Sequence, residues 1–363
     1  MPRIIYHLPF KINKKRASAS QIRPLKLLEA FQQYGYTVDI VEGYGAKRRK
    51  QIAAIKEHII QGTKYDFLYS ESSTTPTLLT EKKHLPLYPF LDFSFFSFCK
   101  KHGIKIGLFY RDIYWCFEQK QKTWKQIVAG YFYRYDLRKY SLLVDVLFLP
   151  SLDMMKYIPF RFPGKVAELP PGLERYDCER IVTGQEINLL YIGGIGHHYN
   201  LKMIASAVSA VPGLRFTICC RPDDWEAVKE EYRSVLSDRI CIVHKSGKEL
   251  ENLYRQADLF CLFVEPQEYW NFAVPFKLFE AIGYGCPVLA SRGTWASRFV
   301  EDHKIGFVCE YDIYSVRRQL AEIVQGRDKL LSCKKEIKEV APENTWGARC
   351  YKIAAALTAE PVN

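Results

Sequence analysis

The sequence predicts an α/β protein with two domains, each built around a parallel β-sheet. Its 363 residues are enough for two domains of ordinary size, each with its own core. Short continuous apolar runs alternate with segments of helical periodicity, which is typical of strands that helices cover on both faces. Between Pro159 and Gly184, prolines and glycines cluster without periodicity and mark a linker. We therefore expect a first domain at 1–165, a linker at 166–184, a second domain at 185–340 and a terminal helix at 341–363.

The composition indicates a globular protein. Hydrophobic residues make up 48% of the chain, and no apolar run is long enough to span a membrane. The apolar segment 1–10 is too short for a signal peptide, and its cations follow rather than precede it, so we expect a cytoplasmic protein. The 11 cysteines contain no Cys-x-x-Cys pair, and many lie in predicted buried strands. Neither a zinc site nor a disulfide framework is indicated.

The positive charge is confined to the first half of the chain. Residues 1–170 contain 28 of the 52 Lys and Arg residues and 14 of the 40 Asp and Glu residues, a net charge of +14, which leaves −2 for the rest. A basic half favours an anionic partner such as lipid headgroups, a lipid diphosphate or nucleic acid. The alternative is a basic surface that is merely solvated. Nucleic acid is the least favoured partner, because no recognised reader motif accompanies the basic residues.

The first domain is predicted to begin with a βαβ unit. Apolar runs of strand type occur at 3–8, 36–41, 65–69, 104–110 and 144–149, and helical patterns occur at 21–34 and after residue 47. The basic loop 9–20 follows the first strand, at the edge where open α/β sheets bind ligands. Arg23, in the first turn of the next helix, either contacts an acceptor phosphate at this loop or is solvated.

An aromatic segment lies between Pro86 and Lys101. It has more aromatic side chains than one helix face needs: Tyr88, Phe90, Phe93, Phe95, Phe96 and Phe98. The segment either contacts a membrane interface beside the basic surface or belongs to the core of the first domain.

The second domain is predicted to open with a phosphate-binding loop. Gly193 and Gly194 follow the strand 187–192, and glycines between a strand and a helix let backbone amides approach a pyrophosphate. The next residues, His197 and His198, either contact the acceptor or the phosphate, or are solvated.

The stretch 259–291 carries the strongest signal for a binding site. It has the pattern strand, helix, strand, and the helix opens near Pro275, which suits a first helical position. We expect the backbone amides of Phe272, Ala273 and Val274, just before the helix, to be free to point at an anion.

Lys277 and Glu280 lie three residues apart and therefore share one face of this helix. A cation for a diphosphate and a carboxylate for ribose hydroxyls are the chemistry of a nucleotide-sugar pocket. The alternative is an ordinary strand–helix–strand unit in which these two residues form a surface pair.

This stretch resembles a known donor-binding motif. Residues 275–281 (Pro-Phe-Lys-Leu-Phe-Glu-Ala) and 285–288 (Gly-Cys-Pro-Val) are similar to the motif of retaining GT-B glycosyltransferases, particularly glycosyltransferase family 4. That family has a Glu-x7-Glu pair, of which Glu280 matches the second member, on the ribose. Phe272 occupies the first position, near the transferred sugar. The resemblance implies the GT-B fold, with two Rossmann-like parallel-sheet domains facing a central cleft and a terminal helix that crosses back to the first domain.

The resemblance extends to other donor positions. Gly194 stands where the family has an arginine, so the cations for the diphosphate are expected from Arg221 and Lys277. The passage 244–258 resembles the family's base-gripping loop, which makes Lys245 a candidate for the base or the ribose.

Arg111 and Asp112 directly follow the fourth predicted strand. A carboxylate at this strand end either acts as general base on an acceptor hydroxyl, orients the acceptor, or caps the next turn. The family often has a His-Asp pair here that faces the transferred sugar. Asp112 matches its aspartate and Arg111 stands at its histidine, so both are candidate catalytic residues.

The observations and the resemblance together predict a hexosyltransferase of bacterial surface polysaccharide synthesis, and the resemblance implies that it is retaining. The donor is a nucleotide-diphosphate sugar, and the acceptor is a sugar or a lipid-linked oligosaccharide at an anionic inner membrane surface. We expect no metal or other cofactor, because no Asp-x-Asp occurs in a metal-binding context and Arg221, Lys277 and backbone amides can meet the diphosphate charge. Two alternatives stay open: a non-catalytic binding subunit of the same fold, and a nucleotide-sugar epimerase.

Overall fold

The structure is a computed structural model, and it describes residues 1–12, 18–117, 123–176, 185–196 and 199–358. The chain forms two units, Met1–Gly172 with Trp346–Asn363 and Leu173–Thr345. Each unit contains one six-stranded sheet, and the strands of both sheets pair in parallel. The predicted α/β class with two parallel sheets is therefore confirmed.

The sheet of the first unit reverses its strand order beside its first strand. Its strands are β1 (Arg3–His7), β2 (Thr37–Val41), β3 (Phe67–Glu71), β4 (Lys105–Phe109), β5 (Val146–Leu149) and β6 (Lys165–Glu168). Their order is β2-β1-β3-β4-β5-β6. The chain leaves β1 on one side for β2 and on the other side for β3, which opens a crevice at the carboxyl ends of β1 and β3.

The first four helices cover this sheet. They are α1 (Ala19–Gln33), α2 (Gly45–Ile60), α3 (Leu91–Lys101) and α4 (Trp124–Leu143). The aromatic residues Phe93, Phe95 and Phe96 of α3 are buried, and Phe93 packs against Tyr140 of α4 with ring centroids 5.7 Å apart. For these three residues the membrane interpretation is wrong, because α3 packs between β4 and α4. Phe90, just before α3, is exposed.

The second unit has the strand order of a dinucleotide-binding domain. Its strands are β7 (Ile187–Ile192), β8 (Leu214–Cys219), β9 (Ile240–Val243), β10 (Leu259–Leu262), β11 (Val288–Ser291) and β12 (Gly306–Cys309). Their order is β12-β11-β10-β7-β8-β9, so the reversal falls between β7 and β10. Ligands of such sheets bind at the carboxyl ends of the strands that flank the reversal. The glycine loop after β7 and the segment after β10 both lie there.

The helices of the second unit complete its alternating pattern. They are α5 (Lys202–Ala210), α6 (Pro222–Tyr232), α7 (Glu249–Gln256), α8 (Phe276–Gly283), α9 (Trp295–Asp302), α10 (Ile313–Gln325) and α11 (Asp328–Val340). Two clusters of buried apolar side chains fill this unit, one centred on Phe216 and Ile218 and the other on Phe260 and Phe279.

The last described helix, α12 (Trp346–Leu357), belongs to the first unit and packs on α1 and β4. Gly107 of β4 makes room for it, since a Cβ at this position would lie 2.7 Å from Leu357. The range expected to be a linker, 166–184, begins within β6, and its part 177–184 lies outside the described residues.

Among the helices that the structure describes, none combines the length and the apolar character needed to cross a membrane.

Candidate functional site

Two predicted donor residues, Gly193 and Lys245, are hydrogen-bonded to Cys219 at the carboxyl end of β8. The Gly193 N–H donates to the Cys219 carbonyl at 3.0 Å, and the Cys219 thiol donates to the Lys245 carbonyl at 3.5 Å. Burial raises the pKa of the Cys219 thiol, whereas the hydrogen bond to Lys245 and the charge of Lys277 lower it. Cys219 is one of the cysteines expected in buried strands, and no role at the site was predicted for it.

Glu280 of α8 is held by two donors. The Lys277 ammonium and the Tyr254 hydroxyl both donate to Glu280 Oε2, the latter at 2.9 Å. Burial and the nearby Glu280 charge raise the pKa of Tyr254, so this hydroxyl keeps its proton and remains a donor. The side chains of Lys277 and Glu280 are 29% and 25% exposed, so the pair is half-buried rather than a free surface pair. Tyr254 lies in the passage 244–258 that resembles the base-gripping loop, but no role was predicted for it.

The glycine loop after β7 is closely packed. The Tyr191 hydroxyl donates to the Gly194 carbonyl at 2.5 Å and would lie 2.7 Å from a Cβ at Gly193, so no side chain fits there. Because the Gly193 N–H already bonds Cys219, the expectation that this amide contacts a phosphate needs correction. Around Gly194 there is space, since a Cβ there would meet Tyr199 and Asp224 only at 3.8 and 3.9 Å.

The segment before α8 differs from its prediction. The amides of Phe272 and Ala273 donate to the Tyr269 carbonyl at 3.4 and 3.1 Å. The expectation that both are free is therefore wrong, because a short 3-10 turn at 268–271 provides an acceptor for them. Val274 N–H bonds no backbone carbonyl of the described residues.

The helix itself begins one residue later than predicted. Pro275 is the N-cap of α8, and its carbonyl accepts a hydrogen bond from the Leu278 amide at 3.1 Å.

Arg221 and Lys245 lie at the outer part of this strand edge. Arg221 is the N-cap residue of α6 and is exposed. Lys245 follows β9 and pairs with Glu249 at 3.1 Å, with both side chains about half exposed. Both side chains can change conformation at a small cost in free energy, because exposed charges and their ion pairs contribute little to stability.

In the first unit, Asp112 caps a turn. Its Oδ1 accepts the Tyr114 amide at 3.0 Å, as the capping alternative predicts. Its neighbour Arg111 points back to the sheet, where Nη2 lies 3.3 Å from Glu71 Oε2. Burial lowers the pKa of Arg111 despite the Glu71 carboxylate, which raises it.

A buried Arg–Glu–Arg cluster occupies the carboxyl end of β3. Glu71 has no exposed surface and accepts hydrogen bonds from Arg23 Nε at 3.2 Å, Arg111 Nη2 at 3.3 Å and the Tyr69 hydroxyl at 3.1 Å. Such a cluster depends on its one carboxylate, because desolvated ions are costly when unpaired.

Arg23 differs from both of its predicted alternatives. It is 4% exposed, donates to the Pro170 carbonyl at 3.2 Å, and lies with its Cζ 3.6 Å from the ring centroid of Phe109. The prediction of an acceptor phosphate contact needs correction, because Glu71 draws this side chain into the interior. His197, the other candidate for the acceptor, lies outside the described residues.

A second buried polar network was not predicted. His7 Nδ1 lies 2.8 Å from Ser70 Oγ and His7 Nε2 lies 2.9 Å from Asp92, which also receives two hydrogen bonds from Arg48. Burial lowers the pKa of His7, so a neutral ring protonated on Nε2 satisfies both partners. All four side chains are buried, so this serine has no access to substrate and the network joins β1, β3, α2 and α3.

An apolar groove lies in the first unit between α4 and the segment 75–86. Its volume is about 910 Å³, and its lining includes Pro76, Leu79, Leu85, Trp115, Val128 and Tyr131. Lys83, Lys125 and Arg134 also line it. The groove thus combines apolar walls with cations.

No group of three or more His, Cys, Asp or Glu side chains with metal-binding geometry occurs in the residues that the structure describes.

Residues 186–326 match the family model of glycosyl transferases group 1. No curated protein matches the chain.

The fold is similar to solved glycosyltransferase structures. A glycosyltransferase from Rickettsia africae has a TM-score of 0.68 at 11% identity, with 98% of each chain covered. WaaG, a glycosyltransferase involved in lipopolysaccharide biosynthesis, has a TM-score of 0.62 at 14% identity, covering 98% of this chain and 100% of WaaG. HepE from Anabaena, solved in complex with UDP, has a TM-score of 0.65 at 10% identity, covering 98% and 99%. The fold is GT-B, and together with the domain match it supports glycosyltransferase activity.

Replacement of the buried Glu71 tests whether the Arg–Glu–Arg cluster depends on its carboxylate. Glu71→Gln leaves two buried guanidinium groups without their counterion, so we expect a loss of about 3–5 kcal/mol in the free energy of unfolding. Urea unfolding measures it. Glu29→Gln, in a half-exposed pair with Lys26 of the same unit, is the matched control and should cost less than about 1 kcal/mol. Equal effects of the two substitutions would contradict this assignment.

Proposed function

We propose that the chain is a glycosyltransferase that moves a hexose from a nucleotide-diphosphate sugar to a sugar or lipid-linked oligosaccharide acceptor, in bacterial surface polysaccharide synthesis. The observation that carries this proposal is the Lys277–Glu280–Tyr254 arrangement at the strand reversal of the second sheet. Lys277 and Glu280 follow β10 at the sheet edge that also carries the glycine loop after β7, and a cation with an oriented carboxylate is the chemistry that a diphosphate and a ribose require.

In this proposal, Glu280 binds the ribose. Tyr254 and Lys277 occupy Oε2, and no described residue donates a hydrogen bond to Oε1, which therefore accepts from ribose hydroxyls. Lys277 contacts the diphosphate together with Arg221 and the amides of Gly194 and Val274.

The same cations stabilise the leaving group. When the bond to the sugar breaks, negative charge grows on the diphosphate, and fixed cations near it lower the barrier. No step of this reaction requires a metal, since the cations named above neutralise the charge.

UDP is the first candidate nucleotide, because HepE was solved with UDP and UDP-glucose. Transfer with retention of the anomeric configuration is proposed from the resemblance to family 4 alone. Asp112 is proposed to orient the acceptor hydroxyl, which requires it to release the Tyr114 amide that it now caps.

A lipid-linked acceptor is supported by the apolar groove and its surroundings. Large apolar side chains around it are exposed: Leu85, Leu87, Phe90, Trp124, Ile127, Val128 and Tyr131. With the nearby cations and a net charge of +14 over 1–170, this surface suits an anionic bilayer at which such an acceptor resides. The protein is then peripheral to the inner face of the membrane.

Nucleotide binding tests the donor pocket. We expect one of UDP, GDP, dTDP and CMP to raise the unfolding temperature, since a ligand at 100 times its Kd stabilises the native state by about 2.7 kcal/mol. Glu280→Ala should weaken this nucleotide about tenfold or more, because hydrogen bonds to the ribose are lost. Thermal unfolding with increasing nucleotide measures both effects.

Glu336→Ala, at an exposed position of α11, is the control for this experiment and should bind like the wild type. Stabilisation by none of the nucleotides, or an equal shift in Glu280→Ala, would contradict the donor assignment.

Vesicle binding tests the membrane surface. The double variant Trp124→Glu/Tyr131→Glu should bind phosphatidylglycerol vesicles at least about tenfold more weakly than the wild type, because two apolar side chains no longer enter the interface. Co-flotation measures the bound fraction. Ile60→Glu replaces an equally exposed apolar residue of α2 and should leave binding unchanged. Equal binding by the wild type and both variants would refute the proposal that the surface around the groove binds the membrane.

A further inference from the structure

The space at Gly194 is bordered by side chains from two loops. A Cβ at Gly194 would lie 3.8 Å from Tyr199 Cδ2 and 3.9 Å from Asp224 Oδ2. Tyr199 follows the glycine loop after β7, and Asp224 lies in the first turn of α6, which follows β8. Both side chains are therefore at the carboxyl edge of the sheet, next to the amide that the proposed function assigns to the diphosphate.

A third loop reaches this space through an aromatic contact. The ring centroids of Tyr199 and Trp270 are 5.7 Å apart, and the ring planes are inclined at 56°. Trp270 belongs to the short turn at 268–271 that follows β10, so the contact spans the strand reversal between β7 and β10. A second ring contact, with Tyr269 at 5.2 Å, helps to fix the indole. The two rings are thus held together where ligands of such sheets bind.

Both rings keep part of their surface in contact with solvent. Tyr199 is 37% exposed, and Trp270 is half-buried. Aromatic rings that are fixed but not fully covered suit a ligand with one apolar face, because the facing surfaces lose water when the ligand binds. A hexose has such a face, formed by the C–H bonds of its ring, and its hydroxyl groups lie around the edge.

Asp224 provides an acceptor for those hydroxyl groups. Its side chain is half-buried, and the described residues provide no hydrogen bond or ion pair to its carboxylate. A carboxylate repels phosphate oxygens and accepts hydrogen bonds from hydroxyl groups. Of the groups in a nucleotide-diphosphate sugar, the uncharged hexose therefore suits the space between Asp224 and Tyr199 best. The hexose is also the group attached directly to the diphosphate.

We propose that Tyr199, Trp270 and Asp224 bind the hexose of the donor, with the two rings against its apolar face and the carboxylate on its hydroxyl groups. This assignment rests on the proposed function, which supplies the nucleotide-diphosphate sugar. The directions of the hydroxyl groups distinguish one hexose from another, and a hydrogen-bond acceptor depends on those directions more than an apolar contact does. Asp224 therefore determines which hexose the site prefers, and the two rings contribute affinity.

Calorimetric titration of the full chain with a nucleoside diphosphate and with the matching nucleotide hexose tests the two rings. The pairs are UDP with UDP-glucose, GDP with GDP-mannose and dTDP with dTDP-glucose. Tyr199→Ala/Trp270→Ala should bind the nucleotide hexose at least about fivefold more weakly than the wild type, because the apolar contact is lost. Its affinity for the nucleoside diphosphate should be unchanged. Tyr314→Ala removes a ring of α10 that is 81% exposed, and this control should change neither affinity.

Replacement of the carboxylate tests the hydroxyl contacts independently of the rings. Asp224→Asn should weaken the nucleotide hexose at least about fivefold, because hydrogen bonds to a charged acceptor are replaced by weaker ones. It should not weaken the nucleoside diphosphate. Asp223→Asn changes an exposed aspartate in the same helical turn, so it removes the same charge. This matched control should bind both ligands like the wild type.

Three results would overturn the proposal. The first is equal weakening of both ligands in the ring variant and in Asp224→Asn, which would assign these residues to the nucleotide part of the donor or to the fold. The second is wild-type affinity of both variants for the nucleotide hexose. The third is a wild type that binds no pair, which would overturn the proposed function as well. The expected binding results without any sugar transfer would contradict the proposed function alone.

Discussion

Parallel strand pairing is the constraint on which the rest of this structure depends. Parallel strands need helical crossovers, and crossovers that cover both faces bury the whole sheet. All the loops that follow strands then emerge at one edge. In the second unit this edge collects the glycine loop after β7, Cys219 of β8 and the segment after β10, and the strand reversal leaves the space between them. The location of the proposed donor pocket is thus a consequence of the sheet topology.

The two units place charge in different environments at the corresponding edge. In the first unit Glu71 and its arginines are withdrawn from water, where the desolvation cost is balanced only by their mutual contacts. In the second unit Lys277 and Glu280 remain about a quarter exposed. Partial exposure lets each exchange a protein partner for a ligand at small cost. The buried cluster of the first unit is therefore suited to hold Arg111 and the end of β3 in position. The partly exposed pair of Lys277 and Glu280 in the second unit is suited to bind a ligand.

Local sequence patterns predicted the strands well, because burial on both faces leaves a continuous apolar run. The strand β7 has its predicted bounds, and the bounds of β1 to β5 differ from the predicted ones by at most two residues at either end. The pairing of Lys277 with Glu280 also followed from helical spacing. These features depend on residues close in sequence.

Features that depend on distant residues were not predictable in this way. Arg23 has the sequence context of a solvated helix start, but Glu71, 48 residues later, draws it into the interior. The amides of Phe272 and Ala273 were expected to be free, because no sequence pattern indicated the short turn at 268–271. That turn provides the Tyr269 carbonyl as their acceptor. The aromatic segment was ambiguous because Phe93 and Phe90 have the same chemistry, and only the packing of α3 against α4 separates them.

The most direct test of the account is a transfer assay. The protein is incubated with radiolabelled nucleotide hexoses, starting with UDP-glucose, and with membrane lipids extracted from the organism that encodes it, and label in the organic phase is measured. The account predicts that one donor labels the lipid phase and that Lys277→Ala reduces this label at least about tenfold, since leaving-group stabilisation is lost. A protein that binds a nucleotide but transfers label from no donor would contradict it, and would identify the chain as a binding subunit.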